Sequence, residues 1–285
     1  MTKKWIATAV FLSVIILAGC APPIRKPIGV CPGAESAVEA LSSLRSRSRD
    51  IMPLKANGQC CLQYYAEGKP HTENFPVKLW MNPPIQIYLQ GDVAFEPKGI
   101  TIGSNEQEFW LSIKPKKISS YWWGRWSEGD FSGRLMISPK LVLEALGIAE
   151  VGEKESWSLS NEEAFDVLTE RDGQGVIIKK IYISKCDYLV SKIEYFDADG
   201  QAVAIMKLDE YEEVSEWFPV PNVIKIIKRG SDGAEGLVNI TISLKSVKSM
   251  NFTEKALRRL FSRPKPRGFK HIYKIVDGNM IEQPK

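Results

Sequence analysis

From Ala56 onward this chain repeats with a period of two, and that period restricts it to folds built from antiparallel strands. In Ile85-Gln86-Ile87-Tyr88-Leu89-Gln90, the residues Ile85, Ile87 and Leu89 fall on one face. Phe109, Leu111 and Ile113 oppose Glu108, Trp110, Ser112 and Lys114 in the same way. Further strands are predicted over 177–183, 189–196, 202–208, 223–227 and 237–245, and 160–170 reads as strand rather than helix. Asp197-Ala198-Asp199-Gly200 is a tight turn with glycine where positive φ is needed. Short strands with local turns predict a meandering antiparallel sheet.

Helices interrupt this pattern in three places. Gly33 to Arg49 has Ala34, Val38, Leu41 and Leu44 at helical spacing, and Pro53 marks a limit for it. Arg45, Arg47 and Arg49 near its end suit the negative pole of the helix dipole. Ser138-Pro139 is an N-cap with proline at the first helical position, Leu141–Leu146 supplies apolar residues, and Gly147 stands where a C-terminal glycine belongs. Thr253 caps a helix over Glu254–Phe261, which Pro264 and Pro266 stop.

The amino terminus is of another kind. Lys3 and Lys4 precede an apolar run from Trp5 to Leu17 that closes on Leu17-Ala18-Gly19-Cys20. A charged start, a short apolar stretch and small residues at the cut site make residues 1–19 a secretory signal peptide. The run is shorter than the ~20 residues that span a bilayer. Its closing cysteine resembles the bacterial lipoprotein class, which implies an acylated Cys20 and anchoring to a membrane. Residues 20–32, rich in proline, read as an extended tether. Ala21 follows the cysteine instead of the aspartate that commonly retains lipoproteins in the inner membrane, so the outer membrane, facing the periplasm, is the expected location.

Removing residues 1–19 from 285 leaves 266 residues, and losing Lys3 and Lys4 takes the formal charge from +4 to +2. A nearly neutral domain argues against nucleic acid as its partner. Cys31, Cys60, Cys61 and Cys186 remain in a compartment that permits disulfides. Adjacent cysteines rarely bond to each other, so the expectation is that Cys60 or Cys61 pairs with Cys31 or Cys186. No CxxC spacing accompanies them and His71 stands alone, so neither a metal nor any other cofactor is expected.

Catalytic signatures are missing. The sequence has two histidines, His71 and His271, and no HExxH, GxSxG, Walker loop or GxGxxG. Asp209, Glu210, Glu212 and Glu213 form an acidic cluster that a solvated strand end or loop explains as well as acid–base chemistry does. The chain reads as a non-enzyme. Its unusual feature is aromatic: Tyr121-Trp122-Trp123-Gly124-Arg125-Trp126 packs three tryptophans into five positions. Trp122 and Trp123 point to opposite faces if they lie on a strand, so these rings suit a core, an apolar cavity or an exposed contact with a membrane or partner.

Val77-Lys78-Leu79-Trp80-Met81-Asn82-Pro83-Pro84-Ile85-Gln86-Ile87 resembles the strand, proline, strand opening of the lipoprotein carriers, the LolA/LolB-like periplasmic chaperone and outer-membrane receptor. Gly103-Ser104-Asn105-Glu106 followed by Phe109-Trp110-Leu111 is similar to their next hairpin, Ser138–Gly147 falls where they carry a lid helix, and Phe252–Pro264 resembles their closing segment. The resemblance implies a mainly β domain over 33–270, an unclosed antiparallel β-barrel with short helices as a lid over an apolar cavity. Residues 271–285 would be a C-terminal tail. The lid would contribute Val38, Leu41, Leu44, Leu141, Leu143 and Leu146. The cavity would be lined by Leu79, Ile85, Ile87, Leu89, Phe109, Leu111, Ile113 and Trp122, and Trp123 and Trp126 would touch membrane or partner. The implied cargo is acyl chains of membrane lipids or lipoproteins. The competing expectation is an envelope protein-binding module with a collapsed cavity and exposed tryptophans.

Overall fold

The computed structural model describes residues 31–49, 51–66, 68–93, 96–116, 118–128, 135–148, 156–216, 218–230 and 233–284. Residues 1–30, where the signal peptide, Cys20 and nearly all of the tether are expected, lie outside the described residues. Pro32–Lys285 forms one compact unit, and among its described residues no helix is long and apolar enough to cross a membrane.

The strands, in chain order, are β1 (Leu54–Ala66), β2 (Lys69–Asn82), β3 (Gln86–Val93), β4 (Glu96–Ser104), β5 (Glu108–Ile113), β6 (Ser120–Arg125), β7 (Trp157–Asn161), β8 (Phe165–Arg171), β9 (Ile177–Ser184), β10 (Val190–Phe196), β11 (Ala202–Ser215), β12 (Phe218–Gly230), β13 (Gly233–Ser249), β14 (His271–Val276) and β15 (Asn279–Glu282). They form one sheet in the order β15-β14-β6-β5-β4-β3-β2-β1-β13-β12-β11-β10-β9-β8-β7. Among the described residues β15 and β7 do not pair with each other, so the barrel is unclosed. Long-range pairing of β1 with β13 joins the meander β1–β6 to the meander β7–β13.

The helices are α1 (Ala37–Arg49), α2 (Pro139–Ala145) and α3 (Glu254–Leu260). α1 starts later than Gly33 because Ser36 Oγ accepts the Glu39 amide at 3.2 Å while Glu39 reaches back to the Glu35 amide at 2.8 Å, close to a capping box. α2 ends in a Schellman arrangement: Ile148 N–H donates to Leu143 O, Gly147 N–H to Glu144 O, and Gly147 takes φ +95°. Thr253 caps α3 through the Ala256 amide.

One face of the sheet carries the main core, formed by alternate residues such as Leu79, Ile87, Leu89, Phe109, Leu111, Ile113, Ile224 and Ile240. A second, smaller core lies on the other face of β3–β6. There Tyr88, Trp110, Tyr121 and Phe261 are buried together with parts of α3, Phe269 and Ile272. Trp110 was expected to face outward with Glu108 and Ser112, and in fact it is fully buried because the segment after β13 folds back over that face. Gly103 makes room for it: a β-carbon there would fall 2.3 Å from the Trp110 ring on the opposing strand.

Two expectations are corrected here. Residues 271–285 are not a loose tail. β14 adds in parallel to β6, burying Ile275, and turns into β15 through Asp277 and Gly278, both at positive φ. The cysteines also differ: Cys31 and Cys186 are the disulfide-bonded residues, and Cys60 and Cys61 are free. Cys60 points into the core of β1, where it is surrounded by apolar side chains, and its neighbour Cys61 faces the other way.

Candidate functional site: the lidded inner face

α1 and α2 lie against the inner face of the half-barrel. Ala40, Leu41 and Leu44 of α1, and Val142, Leu143 and Ala145 of α2 with Leu146 just beyond it, join the main core. The segment before α1 is fixed by buried Asp166, whose Oδ2 accepts the Ala34 amide at 2.7 Å. Gly33 is required there, because a β-carbon would fall 2.2 Å from Asp166 Oδ1.

α2 is also held by charge. Lys179 of β9 donates to Glu144 at 3.1 Å, with side chains only 7% and 2% exposed. Lys179 Nζ lies 5.4 Å from the centre of the Tyr195 ring, and burial raises the nearby Glu170 carboxyl above its usual range against the opposing pull of Lys179 and Lys140. A buried pair pays heavy desolvation and adds little net stability. What it does is fix where α2 sits, because either charge left alone is costly.

The seam between lid and wall opens as an apolar cleft of about 60 Å³. Leu44, Ile51 and Ala145 border it on the lid side, with Ile181, Ile193, Leu208 and Phe218 of β9–β12 below and Tyr188 exposed at the lip. Room for a few waters is not room for a long acyl chain, so among the described residues this seam is too narrow to hold one. A second recess of about 240 Å³ lies between the β2–β3 turn and α2, lined by Ile85, Trp126, Lys140 and Leu143.

Of the residues expected in cavity or lid, Leu41, Leu44, Leu79, Ile87, Leu89, Phe109, Leu111, Ile113, Leu143 and Leu146 are buried together, and Ile85, Trp122 and Leu141 pack partly buried against them. Val38 does not belong: it is 52% exposed. The apolar stripe of α1 runs through Ala37, Ala40, Leu41 and Leu44, and Val38 is about 100° round the helix from Ala37. Trp123 and Trp126 are not exposed contact residues. Trp123 lies in the outer core with the Arg263 guanidinium 4.1 Å from its ring centre. Trp126 packs 4.6 Å from Phe109 and donates through Nε1 to Asn105 O. The acidic cluster on β11 is solvated, with Asp209, Glu210, Glu212 and Glu213 all exposed.

Glu144, Lys179 and the cleft residues Tyr188 and Phe218 went unrecognised. Lys179 did leave a signal, since it occupies an inward position in the alternation Ile177, Lys179, Ile181, Ile183. Among the described residues no three His, Cys, Asp or Glu side chains are grouped to hold a metal ion.

An unclosed antiparallel barrel with helices seated on its inner face is the LolA-like fold. The chain is similar to a domain from Vibrio parahaemolyticus provisionally assigned to outer membrane lipoprotein sorting, with a TM-score of 0.53 at 13% identity over 78% of this chain and 96% of that one. A LolA superfamily protein from Nitrosomonas europaea matches 81% of this chain and 99% of its own at 11% identity and a TM-score of 0.49. A DUF1329 family protein from Desulfovibrio piger does so over 78% and 96%, also at 11% and 0.49. At these identities the likeness is one of fold, and it rests on the first of the three. No protein-family model and no curated protein sequence matches the chain.

Proposed function

We propose that this chain is an outer-membrane lipoprotein, anchored through Cys20, that takes acyl chains of lipids or lipoproteins onto the inner face of its half-barrel by displacing α1 and α2. The observation carrying this reading is the apolar seam between short lid helices and β9–β12, the place where the inner face can open with least loss of sheet. The energies are comparable. Exposing Leu41, Leu44, Val142, Leu143 and Leu146 costs about 2 kcal/mol each, roughly 10 kcal/mol in all, and burying about 15 methylenes returns ~12 kcal/mol. Cargo can therefore stand in for the lid. The task needs no reacting groups.

The narrowness of this seam favours a second reading, a protein-docking module whose cavity has collapsed into an ordinary core. One measurement separates the two. Native mass spectrometry of the purified protein should show co-purifying lipid, and a hydrophobic dye should enter in competition with fatty acids. Protein that is consistently free of lipid and takes up no dye leaves only the docking module.

A further inference from the structure

The outer face of β11, β12, β13, β1 and β2 carries a charge pattern that the lidded inner face does not use. Register sets Lys192 of β10 opposite Lys207, and Lys207 opposite Lys225, so three ammonium groups stand in file across neighbouring strands. Strands lie about 5 Å apart, within the ~8 Å Debye length at physiological salt, and like charges set opposite each other destabilise a sheet. Glu194 answers Lys192 at 3.0 Å. Lys207 and Lys225 are exposed and have no ion-pair partner among the described residues.

The file continues from Lys225 through neutral Thr241 and Cys61 onto β1. Further along the same face of β1, Lys55 lies opposite Lys248 of β13, and Lys78 of β2 lies opposite Asn57. These lysines too are exposed and unpaired among the described residues. Asp209 stands two residues from Lys207 on the same face, so β11 mixes both signs, whereas β12, β1 and residues 237–249 of β13 carry no acidic residue at all. A surface built only for solubility interleaves both signs.

We infer that this outer face docks on a bilayer containing anionic phospholipid. The inference rests on the anchored reading above, which brings the protein to a membrane. The cations are spread over a broad face of five strands, and this matches a plane of charge better than a thread-like polyanion. Each lysine near such a surface raises partition about fivefold.

The test is flotation of the full chain with phosphatidylcholine vesicles made with and without phosphatidylglycerol, reading the ratio of the two partitions. The wild type should prefer phosphatidylglycerol, and the preference should vanish in high salt. Lys207→Gln/Lys225→Gln/Lys248→Gln should lower the ratio about 100-fold. Lys98→Gln/Lys116→Gln/Lys265→Gln, with the same loss of charge at scattered exposed sites, should leave it near the wild-type value. A wild-type ratio of one, even beside binding to another polyanion, overturns the inference. So does a first triple variant that keeps its circular dichroism and its ratio. Failure of the anchor reading looks different, since it lowers partition into both kinds of vesicle by the same factor and leaves the ratio intact.

Discussion

Replacing Glu144 by leucine isolates the contribution of the lid latch. The carboxylate is 2% exposed and receives the Lys179 ammonium at 3.1 Å, so Glu144→Leu strands a buried cation, at a cost of about 3–5 kcal/mol in comparable cases. The raised Glu170 carboxyl and the Tyr195 ring lie near Lys179 and soften the loss, which places the expectation near 3 kcal/mol. If α2 lifts to let water reach Lys179, the cost falls on the closed lid alone and the open fraction rises by about 10²-fold. Dye uptake should then quicken while the urea midpoint of the β-domain barely moves. In Glu144→Leu/Lys179→Met both charges give way to apolar groups of similar size, a change that is often neutral or stabilising, so uptake should fall to or below the wild-type rate. A single variant that loses the full 3 kcal/mol in global unfolding with no change in uptake, or a double variant that behaves like the single one, would show that the pair does not hold α2 closed.

Other expectations follow from burial and register. Burial, with a smaller effect of Cys61, pushes the Cys60 thiol from 9.0 up to about 12. At pH 8 the native protein should resist alkylation at Cys60, which mass spectrometry of its peptide before and after chaotrope will show. Because the folded state disfavours the thiolate, its stability contribution is complete below pH 9 and is lost as pH rises toward 12, up to about 4 kcal/mol; Cys60→Ala should flatten that decline in urea midpoints. Gly103→Ala should cost about 1–3 kcal/mol by forcing the Trp110 ring aside, seen as a lower midpoint with quenched or shifted tryptophan emission. Ile275→Ala should cost about 2–4 kcal/mol in thermal or urea unfolding, and no loss would mean that β14 is an ornament on the sheet.

Much of the fold was readable from local chemistry. The alternations at 85–90 and 109–113 became β3 and β5, Ser138-Pro139 and Gly147 bounded α2, and Thr253 capped α3 as expected. The failures share a cause, which is contact between distant parts of the chain. Trp110 looked solvent-facing because its strand alternates; Phe261, Phe269 and Ile272, some 150 residues later, join Tyr88 and Tyr121 in burying that side. The β14–β15 hairpin was legible and passed over, since Asp277-Gly278 is a strong two-residue turn signal between apolar runs. Of the candidate site, the buried apolar list was recoverable from periodicity. Val38 was misplaced by a rotation of about 100°, and the pairing of Glu144 with Lys179 could not be read because neither residue's neighbours fix the other.

The second core has a mechanical consequence. Strands β3–β6 are sandwiched between two apolar layers, whereas β10–β13 have one such layer on their inner side and lysines on the other. Stiffness is therefore unequal around the half-barrel, and the compliant flank is the one that borders the seam. Breathing of the molecule should concentrate there, so that the clamped flank serves as the fixed jaw and amide exchange runs faster in β10–β13 than in β3–β6.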